Sequence, residues 1–295
     1  MKRTTFIAIE GRPNVGKSTL LNSIIGEKVA IVSKKPQTTR NRITGIHTVG
    51  EDQYVFLDTP GMHKPRTKLG DFMLKTASNT LGGVDAAILV TEAREAVGDI
   101  EAQIIARLKS DKLPAILVIN KIDAVRPVNI AKTIAAYAEA YDFDAVIPIA
   151  AKSGKGVDTV VAECERYLNE SEWFFSSDIV TDQPEKQVAS EIIREKLLRT
   201  LDEEIPHGTA VTIEEWKEKK DSVSIRAEIY CEKATHKGII IGKGGATIKR
   251  IGTYAREDIE ELLGTKVFLD LYVRVKENWR DSSFNITDFG FREDI

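Results

Sequence analysis

From Thr4 to about Asn169 the apolar residues fall in short β-branched runs separated by helix-length amphipathic stretches. Such runs suit strands buried on both faces, whereas apolar positions recurring every three or four residues suit helices with one face on a core. The runs predict strands at Phe6 to Glu10, Ile43 to Val49, Tyr54 to Leu57, Ala86 to Val90, Ala115 to Ile119 and Val146 to Ile149. Alternation of this kind builds βαβ units, hence an α/β domain around a mostly parallel sheet. The pattern lapses between Ser171 and Pro184, where Ser176-Ser177-Asp178 and Asp182-Gln183-Pro184 read as a linker. Beyond it come an amphipathic helix from about Glu185 to Asp202, alternating strands near Thr209 to Trp216 and Ser222 to Tyr230, a helix pair around Gly242 to Gly245, and a strand at Lys266 to Val275. An α-β-β-α-α-β order specifies a small α+β module, a three-stranded sheet with helices on one face. The expected division is therefore a first domain over 1–172, a linker over 173–184 and a second domain over 185–295.

Composition bounds the chemistry. The 295 residues are 42% hydrophobic and 29% charged, ordinary for a globular chain of about two domains. No run approaches the roughly 18 apolar residues of a membrane span, so integral insertion is not expected and peripheral association stays open. The apolar stretch after Lys2-Arg3 is too short for a signal peptide and reads as a first strand. Two cysteines, Cys164 and Cys231, lack metal or disulfide spacing and fit a reducing compartment. Net charge is −3, yet Lys233 to Arg256 holds Lys233, Lys237, Lys243, Lys249, Arg250 and Arg256 with no acidic residue. A mild average hides a basic patch.

Three short motifs follow predicted strands. Gly11-Arg12-Pro13-Asn14-Val15-Gly16-Lys17-Ser18 closes the first strand and opens a helix, the context a phosphate loop requires. Its glycines admit close backbone approach, helix-terminal N–H groups favour phosphate, Lys17 adds a point charge and the Ser18 hydroxyl suits Mg²⁺. The cofactor-binding segment is thus Gly11, Asn14, Val15, Gly16, Lys17, Ser18 and Thr19. Asp58-Thr59-Pro60-Gly61 ends another strand, placing a carboxylate near Mg²⁺ and letting Gly61 turn its amide to a terminal phosphate. Asn120-Lys121-Ile122-Asp123 supplies base choice: Asp123 can accept from guanine's ring and exocyclic N–H groups, which adenine does not present together. The set predicts GTP and GDP over adenine nucleotides.

Near the other end, Gly242-Lys243-Gly244-Gly245 lies in the basic patch, between Gly238-Ile239-Ile240-Ile241 and Lys249-Arg250. A Gly-x-x-Gly loop at a helix start lets amides and a basic side chain clamp about four nucleotides of single-stranded backbone. Lys237, Gly242, Lys243, Gly244, Gly245, Lys249 and Arg250 are the RNA candidates, while Ile240, Ile241 and Ile248 suit core packing better than base contact.

Taken with Thr38-Thr39-Arg40, Met62-His63-Lys64-Pro65 and Val275-Lys276-Glu277-Asn278-Trp279-Arg280, these motifs resemble the Era family of bacterial GTPases along essentially the whole chain. The resemblance implies a P-loop GTPase domain followed by a type II KH domain. It implies 16S ribosomal RNA, at its 3′ end, and the small ribosomal subunit as partners, with assistance to subunit maturation in the cytoplasm. It also implies Thr39 as the switch threonine that completes a Mg²⁺ shell with Ser18 and Asp58, with Thr38 the alternative. Lys17, Asn14, Thr39 and Gly61 are then the residues at the reacting phosphates.

Where related GTPases place a water-orienting glutamine after the switch glycine, this chain has Met62, so slow intrinsic turnover is expected. Asn14 matches an asparagine that helps hold K⁺ in potassium-activated relatives, or else it braces its own loop. The family's Ser-Ala before the last base-contact lysine is Ala150-Ala151-Lys152 here. One hydroxyl is missing, and the Ala151 N–H is expected to meet guanine O6. Lys34, Lys35, Arg40 and Arg42 belong to a charged loop around Thr39, and of the four histidines only His63 stands next to a functional segment. Rival readings are a membrane-surface signalling GTPase and an RNA scaffold that holds GTP without turnover.

Overall fold

The computed structural model describes residues 1–62, 65, 67–202 and 205–291. It divides into two compact units, one of Met1–Ala30, Thr39–Lys64 and Phe72–Asp182, the other of Ile31–Thr38, Pro65–Asp71 and Gln183–Ile295.

The first unit runs β1 (Arg3–Glu10), α1 (Lys17–Ile25), β2 (Ile43–Val49), β3 (Asp52–Asp58), α2 (Lys68–Thr80, whose first turn falls in the second unit), β4 (Ala86–Glu92), α3 (Asp99–Asp111), β5 (Ala115–Asn120), α4 (Pro127–Ala140), β6 (Ala145–Pro148), α5 (Val157–Cys164) and a two-residue β7 (Asn169–Glu170). The sheet order is β2-β3-β1-β4-β5-β6, with β7 beside the start of β1. Only β2 and β7 pair antiparallel, so the sheet is mostly parallel. Central strands covered on both faces need apolar side chains on both, and Ile116, Leu117, Val118 and Ile119 are accordingly all buried. Even residues of β1 and β5 pack into different clusters on the two faces, one around Leu20, Leu21 and Val160, the other around Ile104, Leu108 and Tyr137. The strand expected from Tyr54 extends back to Asp52, because the β1 and β2 ladders recruit Asp52 and Gln53 whatever their polarity.

Residues 173–182, read from sequence as linker, are hydrogen-bonded along this unit. Ile46 N–H donates to the Val180 carbonyl at 2.8 Å, Gln53 Nε2 to that of Phe175 at 2.9 Å, and Thr44 Oγ1 to Asp182 at 3.0 Å. Polar composition signals irregular backbone; it does not say whether that backbone is tethered.

The second unit continues with α6 (Glu185–Thr200), β8 (Ala210–Lys219), β9 (Ser222–Cys231), α7 (Ala234–Ile241), α8 (Ala246–Leu263), β10 (Lys266–Val275) and a short α9 (Ser283–Asp288) that the sequence pattern did not suggest. Its sheet order is β10-β9-β8, with β10 parallel to β9 over Lys266↔Ser222 to Val275↔Cys231. Ile192, Ile193 and Leu197 of α6, Ile251, Ala255 and Ile259 of α8, and Ile225, Ala227 and Ile229 of β9 form its core. α6 stops at Thr200, two residues short of the expected end, because Leu201 turns extended at φ −99° and ψ 152°. Among the described residues no helix is long and apolar enough to cross a membrane.

Candidate functional site

β1 ends at Glu10 and α1 begins at Lys17, so the phosphate-loop residues Gly11 to Gly16 connect a strand edge to a helix N-terminus. Gly11, Asn14 and Gly16 hold φ of 147°, 66° and 104°. Left-handed residues set among right-handed ones fold backbone into a concavity that turns successive N–H groups towards an anion. Steric seals explain the two glycines: a Cβ on Gly11 would strike the Val90 carbonyl, and one on Gly16 the Asn120 carboxamide. Gly61 closes the far wall, since a Cβ there would come 2.7 Å from the Pro13 nitrogen. The Lys17 ammonium is buried and donates to the carbonyls of Gly11 at 3.1 Å and Arg12 at 3.3 Å. Burial pushes its pKa down, while Asp58 and Glu10 oppose that. Phosphate oxygens would replace two neutral carbonyls with a formal counter-charge.

Ser18, Asp58 and Thr39 meet beside this loop. Ser18 Oγ donates to Asp58 Oδ2 at 2.5 Å, lies 2.9 Å from Thr39 Oγ1, and the Thr39 hydroxyl donates to the same carboxylate oxygen at 3.4 Å. Asp58 Oδ1 is buried with no hydrogen-bond partner. Two hydroxyls and a carboxylate with one uncommitted oxygen are the hard donor set that Mg²⁺ prefers, so the residues fit the ion. Burial raises the Asp58 carboxyl to about 6, with Lys17 and the two hydroxyls pulling it back. The neighbouring Thr38 hydroxyl turns into its own loop, donating to the Lys35 carbonyl at 2.7 Å and to Ser33 at 3.2 Å. Beneath the loop, Glu10 is fully buried, neither carboxylate oxygen has a hydrogen-bond partner, and burial pushes its pKa up to about 8. Met62 packs against the cluster around Leu81 and Leu89. His63 and Lys64 lie outside the described residues.

The base-reading segment leaves β5. Asn120 is buried, donates through Nδ2 to the Val15 carbonyl at 2.8 Å, and accepts through Oδ1 from Lys121 N–H at 2.8 Å and Ala151 N–H at 3.0 Å. Lys121 adopts φ 61°, and its ammonium donates to the Asn14 carbonyl at 2.7 Å and pairs with Glu92. Asn120 and Lys121 thus brace the phosphate loop from below, leaving Asp123 exposed in the turn Ile122–Ala124 and Lys152 exposed in the turn Ala151–Ser153. The Ala151 N–H, expected to meet guanine O6, donates here to the buried Asn120 carboxamide oxygen at 3.0 Å.

In the second unit, α7 ends at Ile241 and α8 begins at Ala246. Between them Gly242, Gly244 and Gly245 hold φ of 75°, 58° and 79°, and Gly245 N–H donates to the Gly242 carbonyl at 3.1 Å. Lys243, Lys249 and Arg250 are exposed around this turn and Lys237 is half-buried on α7. Ile240 is fully buried, Ile241 and Ile248 pack at the core's edge, and Ile239 is 51% exposed. Ile239 is the contact candidate that sequence reasoning passed over. A continuous Ile-Ile-Ile run in a helix puts only one side chain squarely inward, and that helical rule was the signal available.

A strand, phosphate loop and helix with a hydroxyl–carboxylate metal set and an Asn-Lys-x-Asp turn define a P-loop GTPase domain, here followed by a KH module. A family model described as 50S ribosome-binding GTPase matches residues 6–121, and one described as KH domain matches residues 204–280. GTPase Era of Ruminiclostridium cellulolyticum is 48% identical over 291 residues, covering 98% of each chain. An Era variant of Aquifex aeolicus, crystallised with GDP·AlF4⁻, superposes with a TM-score of 0.94 at 36% identity over 98% of this chain and 99% of that one. A crystal structure of Era with MgGDPNP and nucleotides 1506–1542 of 16S ribosomal RNA gives the same TM-score and identity over 99% of both chains. The chain belongs to the Era family, and it is a GTPase.

Proposed function

We propose that this GTPase binds the 3′ end of 16S ribosomal RNA through its KH module and assists maturation of the small ribosomal subunit in the cytoplasm, with the bound nucleotide setting RNA access. Any association with the inner face of the membrane is peripheral in this reading. The observation that carries it is the match over 99% of the chain to Era caught with a GTP analogue and that RNA, with both glycine loops intact here. Gly11, Asn14, Val15, Gly16, Lys17, Ser18 and Thr19 hold the phosphates, Ser18, Thr39 and Asp58 hold Mg²⁺, and Gly61 meets the γ-phosphate. When bound, Mg²⁺ offsets charge on the β- and γ-oxygens. Asn120, Lys121, Asp123, Ala151 and Lys152 shape the guanine pocket, the Ala151 N–H meeting guanine O6. Lys237, Gly242, Lys243, Gly244, Gly245, Lys249 and Arg250 grip the unpaired strand. Filter binding of a single-stranded RNA carrying the 16S 3′ sequence should differ at least severalfold between GDP-loaded and GTP-analogue-loaded protein. Equal affinity in the empty and both loaded states would separate the two binding activities and defeat the switch.

Hydrolysis needs help, because the thioether of Met62 cannot orient water. Asn14 would help hold a K⁺ ion, whose charge would substitute for that of an arginine finger. Turnover in KCl should exceed turnover in NaCl of equal ionic strength by about tenfold or more, on the scale of removing one preorganised charge from a phosphoryl-transfer site. Identical rates in the two salts would leave Asn14 with the looser role of bracing its loop.

A further inference from the structure

In the first unit β4 lies between β1 and β5, so its end falls between the phosphate loop that leaves β1 and the base-reading turn that leaves β5. Glu92 is the last residue of β4 and stands opposite Asn120 in the ladder. Its carboxylate answers two cations at once: Arg12 Nη2 donates to Oε2 at 2.6 Å, and the Lys121 ammonium pairs with Oε1. Lys121 in turn donates to the Asn14 carbonyl at 2.7 Å. Arg12 and Asn14 flank Pro13, so these contacts close a ring that starts and ends in the phosphate loop. Arg12 is also held from behind. Glu101, buried in the first turn of α3, lies 3.4 Å from Arg12 Nε, and a carboxylate so placed is tolerated only beside a counter-charge. An isolated half-exposed ion pair contributes little, whereas a network of charges can hold a geometry. Here the charges alternate from Glu101 through Arg12 and Glu92 to Lys121, and Glu92 is anchored on its Arg12 side before it meets the lysine.

We propose that Glu92 is a positioning residue for guanine nucleotides: it aims Lys121 at the Asn14 carbonyl and so keeps the phosphate loop in its binding conformation before nucleotide arrives. The proposal rests on Asn14 and Lys121 lying in the nucleotide site. It goes beyond that reading by giving the pair a third member, one that ties the base-reading turn to the phosphate loop through the strand between them. Asn14 holds φ 66°, a left-handed conformation uncommon outside glycine that surrounding contacts must maintain. Without Glu92 the Lys121 ammonium is released, and an incoming nucleotide must order both the lysine and the loop. Such ordering is a cost of binding. Phosphates once seated hold the loop themselves, so the cost falls on affinity and not on the rate of the bound complex.

The test is GDP affinity, steady-state GTP hydrolysis and melting temperature of the full-length chain carrying Glu92→Ala, Glu92→Gln, Lys121→Ala or Glu92→Ala with Lys121→Ala. Glu92→Ala should weaken GDP and raise KM for GTP about tenfold, the scale of ordering one long side chain on binding. Its kcat should stay within about twofold of the unaltered chain, the split expected when binding alone is lost. Glu92→Gln fills the same space but turns an amino group on one of the two cations. It should therefore also weaken GDP severalfold, which keeps the idea testable if the alanine variant does not fold. In the Lys121→Ala background Glu92→Ala should cost nothing further, because Glu92 acts through that lysine. Fully additive losses in the double variant overturn this route, and normal GDP affinity in Glu92→Gln overturns the need for the charge. Weak binding by Lys121→Ala beside normal binding by Glu92→Ala overturns the positioning role alone. Normal binding by both overturns the reading of Lys121 and the proposal with it. GDP affinity, kcat and melting temperature falling together in the Glu92 variants reduce the residue to a structural part and also overturn it.

Discussion

Asp123→Asn should weaken GTP binding about a hundred- to ten-thousandfold, the loss of two charge-assisted hydrogen bonds at about 1.5–3 kcal/mol each. The same substitution should improve binding of xanthosine triphosphate. Guanine offers a ring N–H and an exocyclic amino group to one carboxylate. Xanthine carries an oxygen in place of the amino group, so an amide that accepts from the ring and donates to that oxygen fits it instead. The geometry favours a clean result. Asp123 is exposed and outside the bracing network, which Asn120 and Lys121 make with Val15, Asn14 and Glu92. Replacing it should therefore alter base choice without loosening the phosphate loop, and Lys17→Ala serves as the phosphate-side control. Titration of labelled GTP and xanthosine triphosphate against both proteins decides the point. Unchanged GTP affinity would take the base-reading role away from Asp123.

The contrast with Asn120 shows what a sequence can and cannot tell. The three nucleotide motifs are legible because each is local. Gly11 and Gly16 lie within one turn, Asp58 closes its own strand, and the strand context of each is written in the apolar run before it. The α-β-β-α-α-β order is legible for the same reason, since period-2 and period-3.6 patterns are properties of adjacent residues. What fails is anything decided across the fold. That the Ala151 N–H also meets the Asn120 carboxamide depends on a hydrogen bond 31 residues apart, which no local pattern announces. The fastening of residues 31–38 to Glu195 and Arg194 is more distant still. α6 reads in sequence as an amphipathic helix. Arg194, Glu195 and Lys196 are nevertheless buried, because ion pairs and backbone groups neutralise one another there. Polarity predicts exposure only when no partner is at hand.

The fully buried Glu10 makes a related point about the phosphate loop. Burial pushes the Glu10 carboxyl up to about 8, against the pull of Lys17, and so favours its neutral form beneath the loop. Asp58, raised only to about 6, stays ionised at pH 7 and keeps a formal charge for the metal. Burial raises both acids, Glu10 further than Asp58, although they end adjacent strands, with Asp58 opposite the residue before Glu10 in the register Ile9↔Asp58. Burial separates their roles, as it does in sites where one carboxyl must remain neutral.

Gly242→Asp with Gly245→Asp should abolish binding of single-stranded RNA while leaving GTP hydrolysis measured without RNA unaltered. Gly242 sits at φ 75° and ψ 171°, a region essentially closed to residues with a side chain, and a Cβ there would meet Thr247 N at 2.9 Å. Gly245 is left-handed at φ 79° and starts α8, so an aspartate brings strain at the turn and negative charge where phosphate should lie. The loop's conformation and its anion affinity are lost together. Lys243→Glu separates the two contributions: the backbone turn survives, since Lys243 needs no positive φ, and only the charge is reversed. That variant should weaken binding across all RNA sequences and flatten the dependence of affinity on salt, each phosphate contact contributing about 0.7 to the logarithmic slope for a single strand. An unaltered slope in Lys243→Glu would mean its ammonium meets no phosphate. RNA affinity retained by the glycine double variant would move the strand off this loop altogether, while GTP turnover in each preparation reports that the first domain is folded.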